Sequence, residues 1–190
     1  QGPGEVTNIN FFTVSDSLVF IYPFSRNGSL TVYDMRDNIF VKEIPLKWPN
    51  FYSEAIDVME DCLIYYPGTV SNGNERVFIS ACVVNEKGET LMEQIPYLPA
   101  GVDKSEMTLS SDASWIYQGR SNVYSQINDT IYGITCDSIY PRYRLSLGKY
   151  GLPLGRYDAK DLGLKDFIMM QGVCENKECL LFKFSYNKKM

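Results

Sequence analysis

Three groups of residues in this 190-residue sequence have the types and spacing to do chemistry. The first is the opening run Gln1-Gly2-Pro3-Gly4-Glu5-Val6. A glycine-rich loop can cradle a phosphate on its backbone N–H groups. That chemistry needs a strand before the loop, a helix after it, and a Lys or Ser/Thr at a fixed offset. Here the strand-like TNINFFTV follows, and no lysine occurs before Lys42. The run therefore reads as a tight turn in which glycine supplies positive φ and proline stiffens the bend. The second group is the cysteines Cys62, Cys82, Cys136, Cys174 and Cys179. None forms a Cys-x-x-Cys pair, which disfavours zinc-ribbon and thioredoxin-like sites. If Pro67 to Arg76 is a hairpin loop, Cys62 and Cys82 face each other across it, and Cys174 and Cys179 face each other across Glu-Asn-Lys-Glu. Either pair could bridge, and buried free thiols are the plain alternative. The third group is Asp16, Glu60, Asp61 and Asp129. Paired carboxylates can do acid–base work or hold Ca²⁺. These recur just before strands, where a hairpin turn uses Asp for side chain-to-backbone hydrogen bonds, so turn chemistry accounts for them.

Composition removes several function classes. The chain has no histidine, which excludes imidazole acid–base catalysis, Ser-His triads and His-ligated zinc. Its net charge is −5 and no Lys/Arg cluster stands out, so the electrostatic footprint of a nucleic-acid binder is missing. The longest apolar runs, such as LVFIY and CLIYY, are too short to cross a bilayer as helices. No cofactor or metal site is read from the sequence.

The elements that must position any site are strands. Hydrophobic residues make up 45% and aromatics 14% of the chain, with 14 Tyr and 10 Phe, a composition that favours a β-rich core. TNINFFTV, LVFIYP, LTVYDM and IFVKEIPL are separated by Ser/Asp, Arg/Asn/Gly and Arg/Asp/Asn clusters, as in a four-stranded meander. EAIDVM, CLIYYP, VFISACVV and TLMEQIPY repeat the plan, with GTVSNGNER as a longer turn. VYDMRDNIFVKEIPL begins at Val32 and its counterpart VVNEKGETLMEQIPY at Val83, an offset of 51 residues. WIYQG, SNVYSQI, TIYGIT and YPRYRLSL supply a third copy, and FIMMQGVC with CLLFKFSY begins a fourth.

Repeats of about 40–50 residues, each a four-stranded meander, are the signature of β-propeller blades. One such sheet cannot bury both faces, and neighbours around an axis bury them for it. A two-sheet sandwich, the competing all-β architecture, does not require equal spacing. The expectation is therefore an all-β chain forming a partial propeller of three to four blades, over residues 5–46, 51–98, 113–147 and, in part, 167–190. The Gly-rich stretch 148–164 reads as a long connection with a helical turn at AKDLGL. Such an arc leaves two flanks unpartnered. The expectation is that it belongs to a longer ring or completes one through a partner chain.

Propellers bind through the connections between blades and the central turn within each blade. On this chain that face would carry Arg26, Trp48, Tyr52, Arg76, Tyr97, Lys104, Tyr150 and Arg156. Exposed Trp and Tyr there would stack on sugar rings or peptide side chains, unless Trp48 and Trp115 simply seal blade interfaces.

Three segments resemble a family of six-bladed, NHL-like β-propellers abundant in Bacteroidetes. QGPGEV followed by NINFFTV is similar to its Gly-Pro-Gly-Glu blade junction. NDTIYGI (128–134), with Pro141, Tyr143 and LSLGKYGLP (145–153), is similar to its Asp-Thr-Ile-Tyr segment, and GVCENKECLLFKF to a later hairpin. The resemblance implies an exported, periplasmic or cell-surface protein, commonly a lipoprotein, with a binding role and no catalytic residue. The expected function is thus a non-enzymatic module for a carbohydrate or protein ligand. The alternative is a metal-dependent hydrolase or lactonase with its site in the channel. The resemblance also implies that chain lies upstream of Gln1.

Overall fold

The computed structural model describes residues 8–23, 28–48, 55–72, 75–94, 113–125, 129–151 and 167–186. Four strands open the chain: β1 (Ile9–Ser15), β2 (Leu18–Pro23), β3 (Ser29–Asp34) and β4 (Ile39–Pro45), paired antiparallel in that order. Then come β5 (Ile56–Val58), β6 (Leu63–Tyr65), β7 (Gly68–Asn72), β8 (Glu75–Ile79), β9 (Ala81–Val84) and β10 (Thr90–Gln94). β5, β6, β9 and β10 form the second meander, and β7 and β8 pair with each other. β11 (Ser114–Tyr117), β12 (Arg120–Ser125), β13 (Thr130–Ile134) and β14 (Ile139–Arg144) form the third. β15 (Met169–Glu175) and β16 (Leu180–Ser185) make a final hairpin. The only helical element among the described residues is a 3-10 turn at Gly148–Tyr150. The fold is all-β: successive antiparallel meanders of the β-propeller kind, whose sheets do not close into a ring among the described residues.

Side-chain alternation explains the stacking. In the second sheet, Cys82 and Val84 point into a core shared with Phe20, Tyr22, Leu30, Val32 and Ile44 of the first sheet. Their neighbours Ala81 and Val83 point the other way, toward Val123 and Ile134 of the third. A strand buried on both faces reads as an unbroken apolar run, which is why ISACVV shows no alternation. A smaller third core joins Tyr124 and Ile131 to Met170, with Val173, Leu180 and Phe182 packed against it.

A β-bulge recurs at matching points of the last strand pair in each meander. The register skips Val41 in β4, Leu91 in β10 and Arg142 in β14. A bulge increases local twist and re-aims a side chain, so the repeat carries the same bend in each sheet. The two-residue turns agree as well. Asp16 and Gln118, each at the first turn of its sheet, hold positive φ of 52° for both. Asp129 also lies at positive φ, 51°, before β13. Gly88, at φ 81° between β9 and β10, sits against Pro45 of the first sheet, and a Cβ there would overlap the Pro45 carbonyl oxygen.

The register corrects the expected cysteine pairing. Tyr65, not Cys62, lies opposite Cys82. The residues read as the turn GTVSNGNER are largely the strands β7 and β8, which move the hairpin's tip later in the chain. Cys62 and Cys82 also point to opposite faces of their sheet. Cys62 is instead bonded to Cys136, beyond the end of β13, joining the second sheet to the third. Cys174 and Cys179 are not bridged either: Cys174 pairs with Leu181, and Cys179 lies in the turn, where its N–H donates to Asn176 Oδ1 at 2.9 Å.

The first strands of neighbouring sheets lie against each other, β1 on β5 and β11 on β15. Radiating, twisted sheets approach most closely at the axis, so these strands form the inner edge.

Candidate functional site

Six of the eight expected ligand-facing residues give no side-chain geometry. Arg26, Tyr52, Tyr97, Lys104 and Arg156 lie outside the described residues, as does the opening run Gln1 to Val6, and Arg76 is described only as backbone in β8. Trp48 is half-buried. Its indole N–H donates to Glu93 Oε1 of the next sheet at 2.8 Å, and Lys47 lies 3.0 Å from the same carboxylate. It bridges the first two sheets.

Tyr150 is different. The chain leaves β14, and Leu145 N–H is tied to the Asp129 carbonyl at 2.8 Å. Gly148, at φ 56°, then turns it into the 3-10 turn. Ile168 N–H donates to the Tyr150 carbonyl at 2.8 Å, which fixes the turn beside the start of β15. Tyr150 and Tyr186 meet edge to face with ring centres 5.1 Å apart, and both are exposed, at 37% and 45%. Lys149 Nζ stands 5.1 Å from the Tyr150 ring centre. Asp129 Oδ2 would lie 3.2 Å from a Cβ placed on Gly151. Its other oxygen accepts from the Tyr124 hydroxyl at 2.9 Å, and burial raises its pKa above the ordinary carboxylate value. Two accessible rings, an ammonium and a carboxylate thus share one corner, at the end of the sheets where the β12–β13 connection and the start of β15 meet. Such a corner can stack on an apolar ring face and hydrogen-bond its rim.

Two buried polar clusters lie between sheets and were not foreseen. Asp57 of β5 accepts from the Tyr66 hydroxyl at 2.5 Å and from Ser121 Oγ of β12, and the two hydroxyl oxygens are themselves in close contact. Burial raises the pKa of Asp57 and pushes that of Tyr66 well above its usual value. Across the next interface, Arg142 and Glu175 form a two-pronged pair at 2.7 and 2.8 Å, with side chains only 9% and 4% exposed. Trp115 donates its indole N–H to Glu175 at 2.8 Å, and Asn122 Oδ1 accepts from Arg142 at 2.5 Å. Hydrogen bonding to Arg142 holds Glu175 below the usual carboxylate range. Gly133 leaves room for the Arg142 stem: a Cβ there would stand 2.8 Å from Arg142 Cδ. Among the described residues, no three His, Cys, Asp or Glu side chains gather closely enough to hold a metal ion.

The comparisons bear on the whole chain. Residues 1–190 match the model of a family described as a domain of unknown function, DUF4934. The chain belongs to the DUF4934 family. No curated protein matches it. Among solved structures it is similar to the computationally designed Ika4 protein, with a TM-score of 0.50 and 10% identity over 97% of this chain and 94% of that one. It is also similar to BamB from Moraxella catarrhalis, with a TM-score of 0.47 and 13% identity over 90% of this chain and 39% of that one. At such identities the likeness to Ika4 concerns the fold alone. For this DUF4934 chain, chemistry has to be read from its own side chains.

Proposed function

We propose that this DUF4934 chain is an exported, non-enzymatic binding module of an NHL-like propeller protein, and that its ligand is a carbohydrate. The observation that carries the reading is the exposed Tyr150–Tyr186 corner with Lys149 and Asp129 beside it. Sugar rings present an apolar face edged by hydroxyls, which suits tyrosine rings flanked by one donor and one acceptor. Export is supported by the Cys62–Cys136 disulfide, because such bonds persist in oxidising compartments. The sequence resemblance to exported Bacteroidetes propellers supports it independently.

The test is calorimetric titration with soluble neutral oligosaccharides of several linkages, on the wild type and on Tyr150→Ala. Removing one stacking ring should weaken binding by about tenfold. Saccharide binding that is unchanged in Tyr150→Ala would remove this corner from the function. No saccharide binding at all would turn the reading toward a protein ligand. An ion held by three or more side chains near β1, β5, β11 and β15 after soaking with Ca²⁺ or Mg²⁺ would favour the hydrolase class instead.

A further inference from the structure

The Tyr150–Tyr186 corner carries a charge pattern that a neutral sugar does not use. Lys149 and Arg144 are both exposed there, and neither forms an ion pair among the described residues. The Lys149 ammonium stands over the Tyr150 ring, an uncharged partner that leaves its charge uncompensated. Arg144 ends β14 opposite Thr130 in the register, close enough to Asp129 for its charge to favour the ionised carboxylate. Two cations and one carboxylate thus share the corner, on a chain whose net charge is −5. The local excess is positive, and it sits beside accessible aromatic rings. The corner lies where the third sheet meets the final hairpin: Tyr186 reaches Tyr150 from the hairpin, and Ile168 N–H holds the Tyr150 carbonyl.

Asp129 keeps one oxygen open. Its Oδ1 accepts from the Tyr124 hydroxyl, while no donor among the described residues reaches Oδ2. Oδ2 looks onto Gly151, where a Cβ would stand 3.2 Å from it and 3.2 Å from Leu147 Cβ. Gly151 has a φ of −72°, ordinary extended backbone, so its conformation does not require glycine. What the missing side chain leaves is a notch beside a hydrogen-bond acceptor. A ligand that uses the whole corner therefore carries an apolar face, a hydroxyl donor and a negative charge on one compact unit. An acidic sugar ring carries all three. An acidic peptide spreads them over several flexible residues.

Resting on the carbohydrate reading and narrowing it, we infer that this corner selects an acidic sugar, with its ring on Tyr150 and Tyr186, its anionic group on Lys149 and Arg144, and a hydroxyl donating to Asp129 Oδ2 in the Gly151 notch. The chemistry recognised is a negative charge on a sugar ring, whether carboxylate or sulfate.

Calorimetric titration of the 190-residue chain tests this with probes of equal length. They are a trigalacturonate, its methyl ester (the same rings without the charge), a sulfated neutral trisaccharide and a triglutamate peptide. At least one charged saccharide should bind about tenfold more tightly than the ester, and added salt should shrink the advantage. The charged saccharide that leads identifies the anion. Lys149→Gln and Arg144→Gln should each cut that advantage by about fivefold and leave the ester's affinity as it was. Gly151→Ala closes the notch without touching a charge, so it should weaken charged and neutral saccharides alike. Melting curves check that each variant is folded. Equal affinity for acid and ester, lost in Tyr150→Ala, would overturn the inference and leave the carbohydrate reading standing. A charge advantage that survives both Lys149→Gln and Arg144→Gln would overturn it by placing the anion elsewhere. Triglutamate binding as tightly as the best saccharide would overturn it in favour of a protein ligand. Binding of none of the saccharides would remove the inference and the carbohydrate reading together.

Discussion

Breaking the Cys62–Cys136 bond should lower stability substantially. The two residues are separated by 74 positions, so the bond closes a long loop and removes much freedom from the unfolded state. The chain-entropy relation gives about 4.5 kcal/mol for such a loop. For a chain of this size, roughly 2–4 °C of melting temperature is lost per kcal/mol, so reduction should lower Tm by about 10–15 °C. Cys136→Ser is the cleaner variant, because Cys62 is buried in the core between the second and third sheets, where a hydroxyl would add its own effect. The assay is calorimetric melting with and without a phosphine reductant. Wild type should fall to the level of Cys136→Ser on reduction, and the variant should not respond. Thiol counting gives a second readout. Cys174 and Cys179 are exposed and should react at once in the native protein, while Cys82, whose thiol burial pushes up to about 11, should react only on unfolding. Five reactive thiols in denatured, unreduced protein, or a Tm indifferent to reductant, would refute the reasoning.

Two further predictions concern the buried polar clusters. Glu175→Gln leaves the Arg142 guanidinium buried without its countercharge and should destabilise the fold by about 3–5 kcal/mol, with a shift in Trp115 emission. A loss under about 1 kcal/mol would mean the pair contributes little to the interface. Asp57→Asn should change the pH dependence of melting. Burial raises the folded-state pKa of Asp57, so its contribution is full below the ordinary carboxylate range and is lost as pH climbs through the raised value. The variant should remove that loss on the alkaline side, and melting curves that keep the wild-type pH profile would count against it.

Much of the fold is legible in the sequence, because periodicity and turn chemistry are local. Alternating runs punctuated by Asp, Asn and Gly gave the meanders, and the 51-residue offset between Val32 and Val83 marked their repetition. The cysteine pairing failed for a long-range reason. It depended on where the second sheet's central hairpin turns, and Gly68 and Thr69, which look like loop residues, belong to β7. Position and facing direction follow from that register, and a short shift sent Cys62 toward the third sheet instead of toward Cys82. The candidate site was partly legible. Tyr150 was singled out, but Tyr186, Lys149 and Asp129 join it only because β14, β16 and the turn before β13 end close together. Arg142 carried a weak signal, since an arginine held between Tyr140-Pro141 and Tyr143 in YPRYR suggests a bulge or a partner. Its partner, more than thirty positions away, carried none.

The two buried carboxylates respond to pH in opposite senses, and the placement of the disulfide follows that division. Glu175 is held below its usual pKa, so the interface between the third sheet and the final hairpin is complete at neutral pH and weakens on acidification through the lowered value. Asp57 is the reverse: hydrogen bonds from Tyr66 and Ser121 only partly offset its desolvation, and its interface loses stability as the carboxyl ionises. Cys62 and Cys136 lie at that same interface, between the second and third sheets. The covalent bond thus supports the contact whose polar cluster loses stability as the pH rises, and the self-compensating Arg142–Glu175 pair stands where no disulfide does. If this division is correct, reduction and high pH should act together. The Tm lost on reducing wild type and the Tm recovered by Asp57→Asn should both come from loosening or tightening one interface. Hydrogen exchange should then show protection changing in β5, β6, β12 and β13 in both cases. Exchange that changes instead around β15 and β16 would break the connection between the disulfide and Asp57.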